Sequence, residues 1–389
     1  MELRQRAWHR IDELGDQLWD LAMRIYENPE LGFEEHKAAG WLAESLEQGG
    51  FRVERGVGTL PTAFRAVHPA EQEGLSVAIL AEYDALPELG HACGHNLIAT
   101  IAVGAALGLA PFKADLPGRL IVLGTPAEEG GGGKVILIKE GLFDDLDAAM
   151  MVHPASYTTV ERGSLAVTEV EISFSGRAAN AAARPEAGIN ALDAVIQTFN
   201  GLNALRQHIC DGARIHGIIT HGGTRPNIIP EYAAAQFYVR AAENAYRNEL
   251  LEKLRHCAEG AALATGAKLT FRRVGHTYKT MQSNHAIAQS FGRHLEALGY
   301  PLETPPTGMG STDMGDVSWE IPAIHPYIKI AKAGTAGHSR EFAEASRSGR
   351  GRDAMLAAAK AVAATCLDLW CDAQLYLEAK EEFERLLEE

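Results

Sequence analysis

Leu75-Ser-Val-Ala-Ile-Leu-Ala81, followed by Glu82-Tyr-Asp-Ala-Leu-Pro-Glu-Leu-Gly-His-Ala-Cys-Gly-His-Asn96 and the apolar run Leu97 to Pro111, is the stretch on which the fold turns. Its opening is a short apolar run, the pattern of a strand buried on both faces. Its last part reads as a buried helix, carries Gly104 and Gly108, and is too short to span a bilayer. Strand, polar loop and helix in that order build an α/β sheet. The loop then lies at a strand's carboxyl end, where ligands collect in such sheets.

Upstream, Leu14, Leu18, Leu21 and Ile25 repeat at helical spacing until Asn28-Pro29 stops them. A second helix is predicted from Glu35 to Gln48, ending at Gly49-Gly50. Downstream, Arg119 to Gly124 and Ala148 to Val152 are further strand candidates, with a helical Val135 to Lys139 between them. The fold class is therefore α/β, a central sheet flanked by helices.

From Leu165 the texture changes. Val167 to Phe174 alternates like a half-exposed strand, and a helix is predicted from Ala191 to His208. Strands over Arg214 to Thr220 and Ala233 to Arg240, a helix over Arg247 to Leu263 and a strand over Lys268 to Val274 follow. This β-α-β-β-α-β order is that of a ferredoxin-like unit inserted into the first domain. Helix Ala286 to Leu298, strand Ala323 to Ile330 and a long helical tail from Arg352 return the chain to its first texture. The expected division is 1–164 and 279–389 for one domain and 165–278 for the insert.

Composition excludes several classes of function. With 389 residues, 46% hydrophobic and 22% charged, the chain reads as globular and large enough for two domains. A net charge of −15 argues against a nucleic-acid partner. Five cysteines, an odd count without regular spacing, suit a reducing cytoplasm rather than a disulfide framework. The charged N-terminus lacks the apolar core of a signal peptide, and nothing in the pattern points to a membrane.

Four polar segments each follow a predicted strand. The first holds Glu82, Asp84, His91, Cys93 and His95; thiolate and imidazole are good ligands for borderline divalent ions such as zinc. The same spacing also fits a buried thiol beside a surface histidine. The second, Thr125-Pro-Ala-Glu-Glu-Gly-Gly-Gly-Gly133, sets two carboxylates beside a glycine-rich turn, so that one can bind metal while the other handles protons. Its glycines are not followed by the Lys-Ser/Thr of a phosphate loop at the right place. The third is His153-Pro154 and the fourth His338, within Gly334-Thr-Ala-Gly-His338-Ser-Arg-Glu-Phe342. Each segment alone is an ordinary turn as readily as a ligand. Four in succession past strand ends are hard to explain as coincidence.

Tyr83-Asp-Ala-Leu-Pro87, His91-Ala-Cys-Gly-His95, Pro126-Ala-Glu-Glu129, His153-Pro154, Asn227-Ile-Ile-Pro230 and His338 together resemble the M20 family of metallopeptidases, in its amidohydrolase branch. The motifs span nearly the whole chain in family order. Gly94-His-Asn-Leu97, Pro226-Asn-Ile-Ile-Pro230 and Tyr238-Val-Arg-Ala241 resemble most the aminobenzoyl-glutamate hydrolase and M20-domain dipeptidase group. The resemblance implies two divalent ions, zinc or manganese, held by Cys93, His95, Glu129, His153 and His338, with Cys93 as the bridge. It makes Glu128 the general base acting on water and Asp84 a carboxylate that orients a ligand.

The resemblance also implies that the insert is a lid or dimerisation domain, giving a homodimer. In the family a Gly-x-x-Ala-His-Ala histidine from the partner's lid supports the developing oxyanion; here Gly176-Arg-Ala-Ala-Asn180-Ala181 carries asparagine. An amide can donate a hydrogen bond but cannot carry positive charge. Asn227 and Arg240 are candidates to grip a substrate carboxylate, with a surface salt bridge as the equal alternative for Arg240. Asp313 and His325 lie in matching segments with substrate contact or packing as their alternatives. The expected function is hydrolysis of an N-acyl amino acid, an aminobenzoyl-glutamate-like conjugate or a small dipeptide. Its rivals are a catalytically silent metal- and ligand-binding dimer and a structural dimer whose metal only stabilises it. Cys210, Cys257, Cys366 and Cys371 are expected to be packed within helices.

Overall fold

A computed structural model describes residues 2–68 and 74–388. Along the chain run α1 (Leu3–Glu13), α2 (Gly15–Glu27), α3 (His36–Gln48), β1 (Arg52–Arg55), β2 (Phe64–His68), β3 (Ser76–Ala81), α4 (His95–Leu109), β4 (Arg119–Gly124), α5 (Gly133–Lys139), β5 (Ala148–Met150) and β6 (His153–Ala155). Then come β7 (Ala166–Ser175), α6 (Ala191–Leu205), β8 (Arg214–His221), β9 (Tyr232–Ala241), α7 (Asn244–Thr265) and β10 (Lys268–Tyr278). The last part holds α8 (His285–Ala297), α9 (Met314–Val317), β11 (Ala323–Ile324), β12 (Tyr327–Lys329), α10 (Arg340–Ser346), α11 (Gly349–Cys371) and α12 (Ala373–Glu388). Two compact units result: Met1–Gly163 with Met281–Glu389, and Ser164–Thr280.

The larger unit is built on a six-stranded sheet in the order β1-β2-β4-β3-β5-β11. Strands β4, β3, β5 and β11 run parallel, whereas β2 joins β4 antiparallel and β1 continues as a hairpin edge. Every residue of β3 is buried, as a parallel strand covered on both faces requires. Helix α4 is buried along its whole length and packs against α1, α2, α11 and the sheet. Residues His95–Phe112 and Gly349–Cys371 are each long and apolar enough to cross a membrane, which corrects the expectation that the first is too short. Both are largely buried inside the fold, so core packing accounts for their composition.

Local chemistry sets the ends of these elements. Helix α3 stops in a Schellman turn, with Gly50 at φ +87°, its N–H donating to Glu47 O and that of Phe51 to Leu46 O. The expected single strand over Ala323 to Ile330 is two pieces, because His325-Pro326 interrupts the ladder. Its second piece, β12, leaves the main sheet and pairs with β6. The cysteine expectation also needs correction: Cys366 is buried and Cys257 half-buried, but Cys210 and Cys371 are exposed, Cys210 lying beyond the end of its helix.

The smaller unit runs β7-α6-β8-β9-α7-β10, with an antiparallel sheet in the order β10-β7-β9-β8. This is the ferredoxin-like arrangement. Alternate residues Val170, Ile172 and Phe174 on β7 meet Ala235, Phe237 and Val239 of β9 and the apolar faces of α6 and α7 in a separate core.

Ile79 is central to β3 and almost fully buried. Ile79→Ala is expected to cost about 2–5 kcal/mol, read as a lower denaturation midpoint. A loss under about 1 kcal/mol would show that the sheet relaxes around the site instead of resisting it.

Candidate metal centre

Parallel pairing of β3 with β4 places Ala81 beside Gly124, so the two strands end level. The segments that leave them, Glu82-Tyr83-Asp84 and Thr125 to Glu129, therefore emerge side by side. Thr125 N–H donates back to Ala81 O at 2.7 Å and locks the junction. Cys93 and His95 arrive at the start of α4, and His153 opens β6 after β5. Gly94 sits between the two ligands at φ +82°, where a Cβ would come within 2.9 Å of Pro154 Cγ. Only glycine lets the loop lie this close to the His153 segment.

Cys93 Sγ lies 3.4 Å from His153 Nε2, and Glu129 Oε1 is 3.4 Å from His338 Nε2 and 3.8 Å from His95 Nε2. Two donors on one tetrahedral ion stand about 3.4–3.6 Å apart. The donor atoms of Cys93, His95 and His153 fall within 4.8 Å of one another, as do those of Cys93, Glu129 and His338. Cys93 belongs to both groups.

Hydrogen bonds choose the tautomers. His95 Nδ1 faces Asp84 O at 2.9 Å and Asp84 Oδ1 at 3.1 Å, so it donates there and Nε2 keeps its lone pair. His153 Nδ1 donates to Pro154 O at 2.6 Å, turning its Nε2 toward Cys93. The second oxygen of Asp84 accepts the Glu129 N–H at 2.9 Å, tying the two strand-end segments together. Asp84 thus orients the His95 ring and fixes the backbone of Glu129.

Electrostatics agree with a cation site. Burial pushes His153 down to about 4, so it is neutral and basic at Nε2. Against burial, the Glu82 carboxylate and Cys93 pull His95 well above its ordinary value. Burial raises the Cys93 thiol, which a bound cation reverses. Burial, with Glu82 and Glu129 adding their charge, raises Glu128 well above the carboxylate range, so it holds a proton avidly. Among the described residues, His95 Nε2 and Glu82 Oε1 are buried without a hydrogen-bond partner, while Glu129 Oε1 faces His338 Nε2 at 3.4 Å. Buried lone pairs rarely stay unmet. Soft and borderline donors with unmet lone pairs at these spacings fit a divalent ion such as zinc or manganese.

His338 lies in the left-handed region at φ 57°, an uncommon conformation outside glycine. Its N–H donates to Ala92 O at 3.0 Å, and the next residue, Ser339, caps α10 by accepting Phe342 N–H. Ala127 is also left-handed, at φ 59°, and its N–H donates to the buried Glu35 carboxylate at 2.8 Å. Thr62 Oγ1 donates to the other Glu35 oxygen at 3.0 Å, and Tyr83 Oη donates to Thr62 O at 2.6 Å. Glu35 and Tyr83 thereby brace the turn that presents Glu128 and Glu129.

The structure brings together Asp84, Cys93, His95, Glu128, Glu129, His153 and His338. Asn180, Asn227 and Arg240 belong to the smaller unit. There Asn180 Oδ1 accepts from Ala182 N–H at 3.0 Å and Ala183 N–H at 2.9 Å, an Asx turn that leaves the amide nitrogen as its donor. Asn227 is exposed on the facing turn, its carbonyl accepting Ala181 N–H at 3.1 Å. Arg240 is half-buried, with its guanidinium 5.4 Å from the Tyr238 ring centre. Sequence reasoning passed over Lys134, whose Nζ donates to Glu82 and Asp313 at 2.7 Å each. A lone lysine opening the apolar turn Val135 to Leu137, beside a buried sheet, was the available clue. Asp313 is part of that buried pair, and His325 is a buried neutral histidine 5.6 Å from the His153 ring.

Such a centre at the strand ends of an α/β sheet defines a metal-dependent amidohydrolase. The model of peptidase family M20/M25/M40 matches residues 78–367, and the chain belongs to that family. It is 40% identical to a mouse Xaa-Arg dipeptidase, covering all of this chain and 93% of the relative. It is 31% identical to one of the chains that make up the p-aminobenzoyl-glutamate hydrolase of Escherichia coli strain K12, covering 97% of this chain and 92% of that one. Among solved structures, an aminobenzoyl-glutamate utilization protein from Klebsiella pneumoniae shares the fold with a TM-score of 0.74 at 20% identity, over 92% of this chain and 97% of that one. A dinuclear metal binding peptidase of the M20 family from Bacillus subtilis does so with a TM-score of 0.72 at 22% identity, over 92% and 99%.

Burial pushes the Glu35 carboxyl from its ordinary 4.5 up to about 7. A raised folded-state value means that its stabilising contribution is complete below about pH 4.5 and is lost as pH rises through about 7. In metal-free protein, Glu35→Gln should flatten the fall in melting temperature between about pH 5 and 8. Parallel curves for the two proteins would mean that this carboxyl does not titrate in that window.

Proposed function

We propose that this enzyme hydrolyses the amide bond of a dipeptide, an N-acyl amino acid or an aminobenzoyl-glutamate-like conjugate carrying a carboxylate. In this reading Cys93, His95, Glu129, His153 and His338 hold two divalent ions, with Cys93 common to both. The observation that carries it is the double donor cluster sharing one thiol, with Glu128 alongside. The names of the relatives, a dipeptidase and an aminobenzoyl-glutamate hydrolase, support the substrate class. That of the Bacillus subtilis neighbour, a dinuclear metal binding peptidase, supports the ion count.

When bound, the ions supply Lewis-acid polarisation of the scissile carbonyl and acidify water. The remaining work falls to the chain. Glu128, ionised once bound ions offset the charge of Glu82 and Glu129 that raises it, would accept the proton of the attacking water and return it to the departing amine. Asp84 keeps His95 in the tautomer that faces the ions. Asn227 and Arg240 are proposed to hold the substrate carboxylate, and Asn180 of a second copy to donate to the developing oxyanion. A homodimer through the smaller unit is supported by β8, an edge strand that exposes Ile218 and Ile219. Five free thiols, two of them exposed, support a cytoplasmic location.

Chelation should abolish release of free amine from a panel of dipeptides and N-acyl amino acids, and zinc or manganese should restore it. Glu128→Ala should keep both ions but lose about 10²–10⁴ in kcat; full activity in either case would sink the mechanism. Asn180→Asp keeps the turn's acceptor but removes the donor, and should lower kcat by about 10²–10³. An unchanged kcat would reduce Asn180 to a turn residue, and absence of multiple turnovers in the unaltered protein would favour the silent binding form.

A further inference from the structure

Glu82 stands outside the five proposed ligands, yet its geometry matches theirs. It follows β3 directly, its side chain is 1% exposed, and its Oε2 accepts from Lys134 Nζ at 2.7 Å. Oε1 has no hydrogen-bond partner and lies 3.3 Å from His95 Nε2, which has none either. His95 Nδ1 is committed to Asp84, so Nε2 and Glu82 Oε1 face each other across a buried gap. Such an arrangement holds only with a cation or a shared proton between them. The separation is close to the 3.4 Å of the Cys93–His153 and Glu129–His338 pairs. Donor atoms of Glu82, His95 and Glu128 also lie within 4.8 Å of one another.

We propose that Glu82 is a further metal-ligating carboxylate, binding the ion that His95 holds, with Lys134 as its positioning residue. Lys134 is fully buried; its Nζ spans Glu82 and Asp313 at 2.7 Å each, and its N–H donates to Asp313 Oδ2 at 3.0 Å. This clamp fixes Oε2 and so aims Oε1 at His95. The same ammonium is thus shared between two buried carboxylates. A buried ion pair serving stability alone has no use for an orphaned oxygen. The role of Glu82 rests on the two-ion reading above.

The test titrates metal-free protein with Zn²⁺ or Mn²⁺ against a chromophoric chelator, comparing the unaltered chain with Glu82→Gln and Glu82→Asp. Glu82→Gln keeps the shape and an oxygen for Lys134 but is a poor ligand; Glu82→Asp keeps the charge and withdraws the oxygen by one methylene. Circular dichroism of the metal-free forms checks folding, and Glu82→Asp, which keeps the charge, decides alone should Glu82→Gln not fold. The expected result is two ions on the unaltered protein and at least a roughly tenfold weaker affinity for one of them in both variants. Unaltered affinity in both variants, or weakening in Glu82→Gln alone, would overturn the proposal in favour of a charge-only role. An unaltered protein that binds no ion would instead sink the two-ion reading itself.

Discussion

Lone pairs buried without donors are the constraint around which the larger unit is organised. His95 Nε2 and Glu82 Oε1 converge with Glu129 at the ends of β3 and β4, and no hydrogen-bond partner among the described residues satisfies the first two. A folded chain tolerates such a cluster only where a cation or a shared proton completes it. The surrounding hydrogen bonds serve that end. They pin Nδ1 of His95 and His153 to oxygen acceptors, so that both rings direct Nε2 inward.

The cost of holding this arrangement appears in the backbone. His338 and Ala127 both occupy the left-handed region, which residues with a Cβ seldom adopt. Each is restrained from outside: His338 by Ala92 and the cap of α10, Ala127 by the buried Glu35 carboxylate. Glu35, Thr62 and Tyr83 form a polar chain beneath the turn that carries Glu128 and Glu129. Polar side chains here act as scaffolding, because an apolar contact could not fix the direction of a single N–H.

The smaller unit follows a different economy. Its ferredoxin-like sheet has its own core, and its edge strand leaves apolar side chains in the open. Asn180 illustrates how one residue can satisfy two demands. Its oxygen closes an Asx turn that a bulkier imidazole closes less readily, while its amide remains a hydrogen-bond donor.

Much of this was readable in the residues alone. The apolar run of β3, the uniform apolarity of α4 and the β-α-β-β-α-β order of the insert are local patterns, and burial on two faces or one leaves a direct trace in them. The placing of Glu128, Glu129 and His153 just past β4 and β5 was legible for the same reason, whereas Cys93 and His95 lie at the start of α4 and His338 well beyond β12. What stayed hidden depends on long-range convergence. The antiparallel edge of β1 and β2, the division of Ala323 to Ile330 between two sheets, and the Glu82–Lys134–Asp313 clamp join segments as much as 179 residues apart. A charged side chain reads as solvent-facing until folding delivers its counter-charge, since pairing in space leaves no period in the sequence. The chain's own pattern thus settled which elements form and where polar groups gather. Only tertiary packing settled which lone pairs face one another, because that depends on the register of β3 against β4 and on donors each segment leaves unspent.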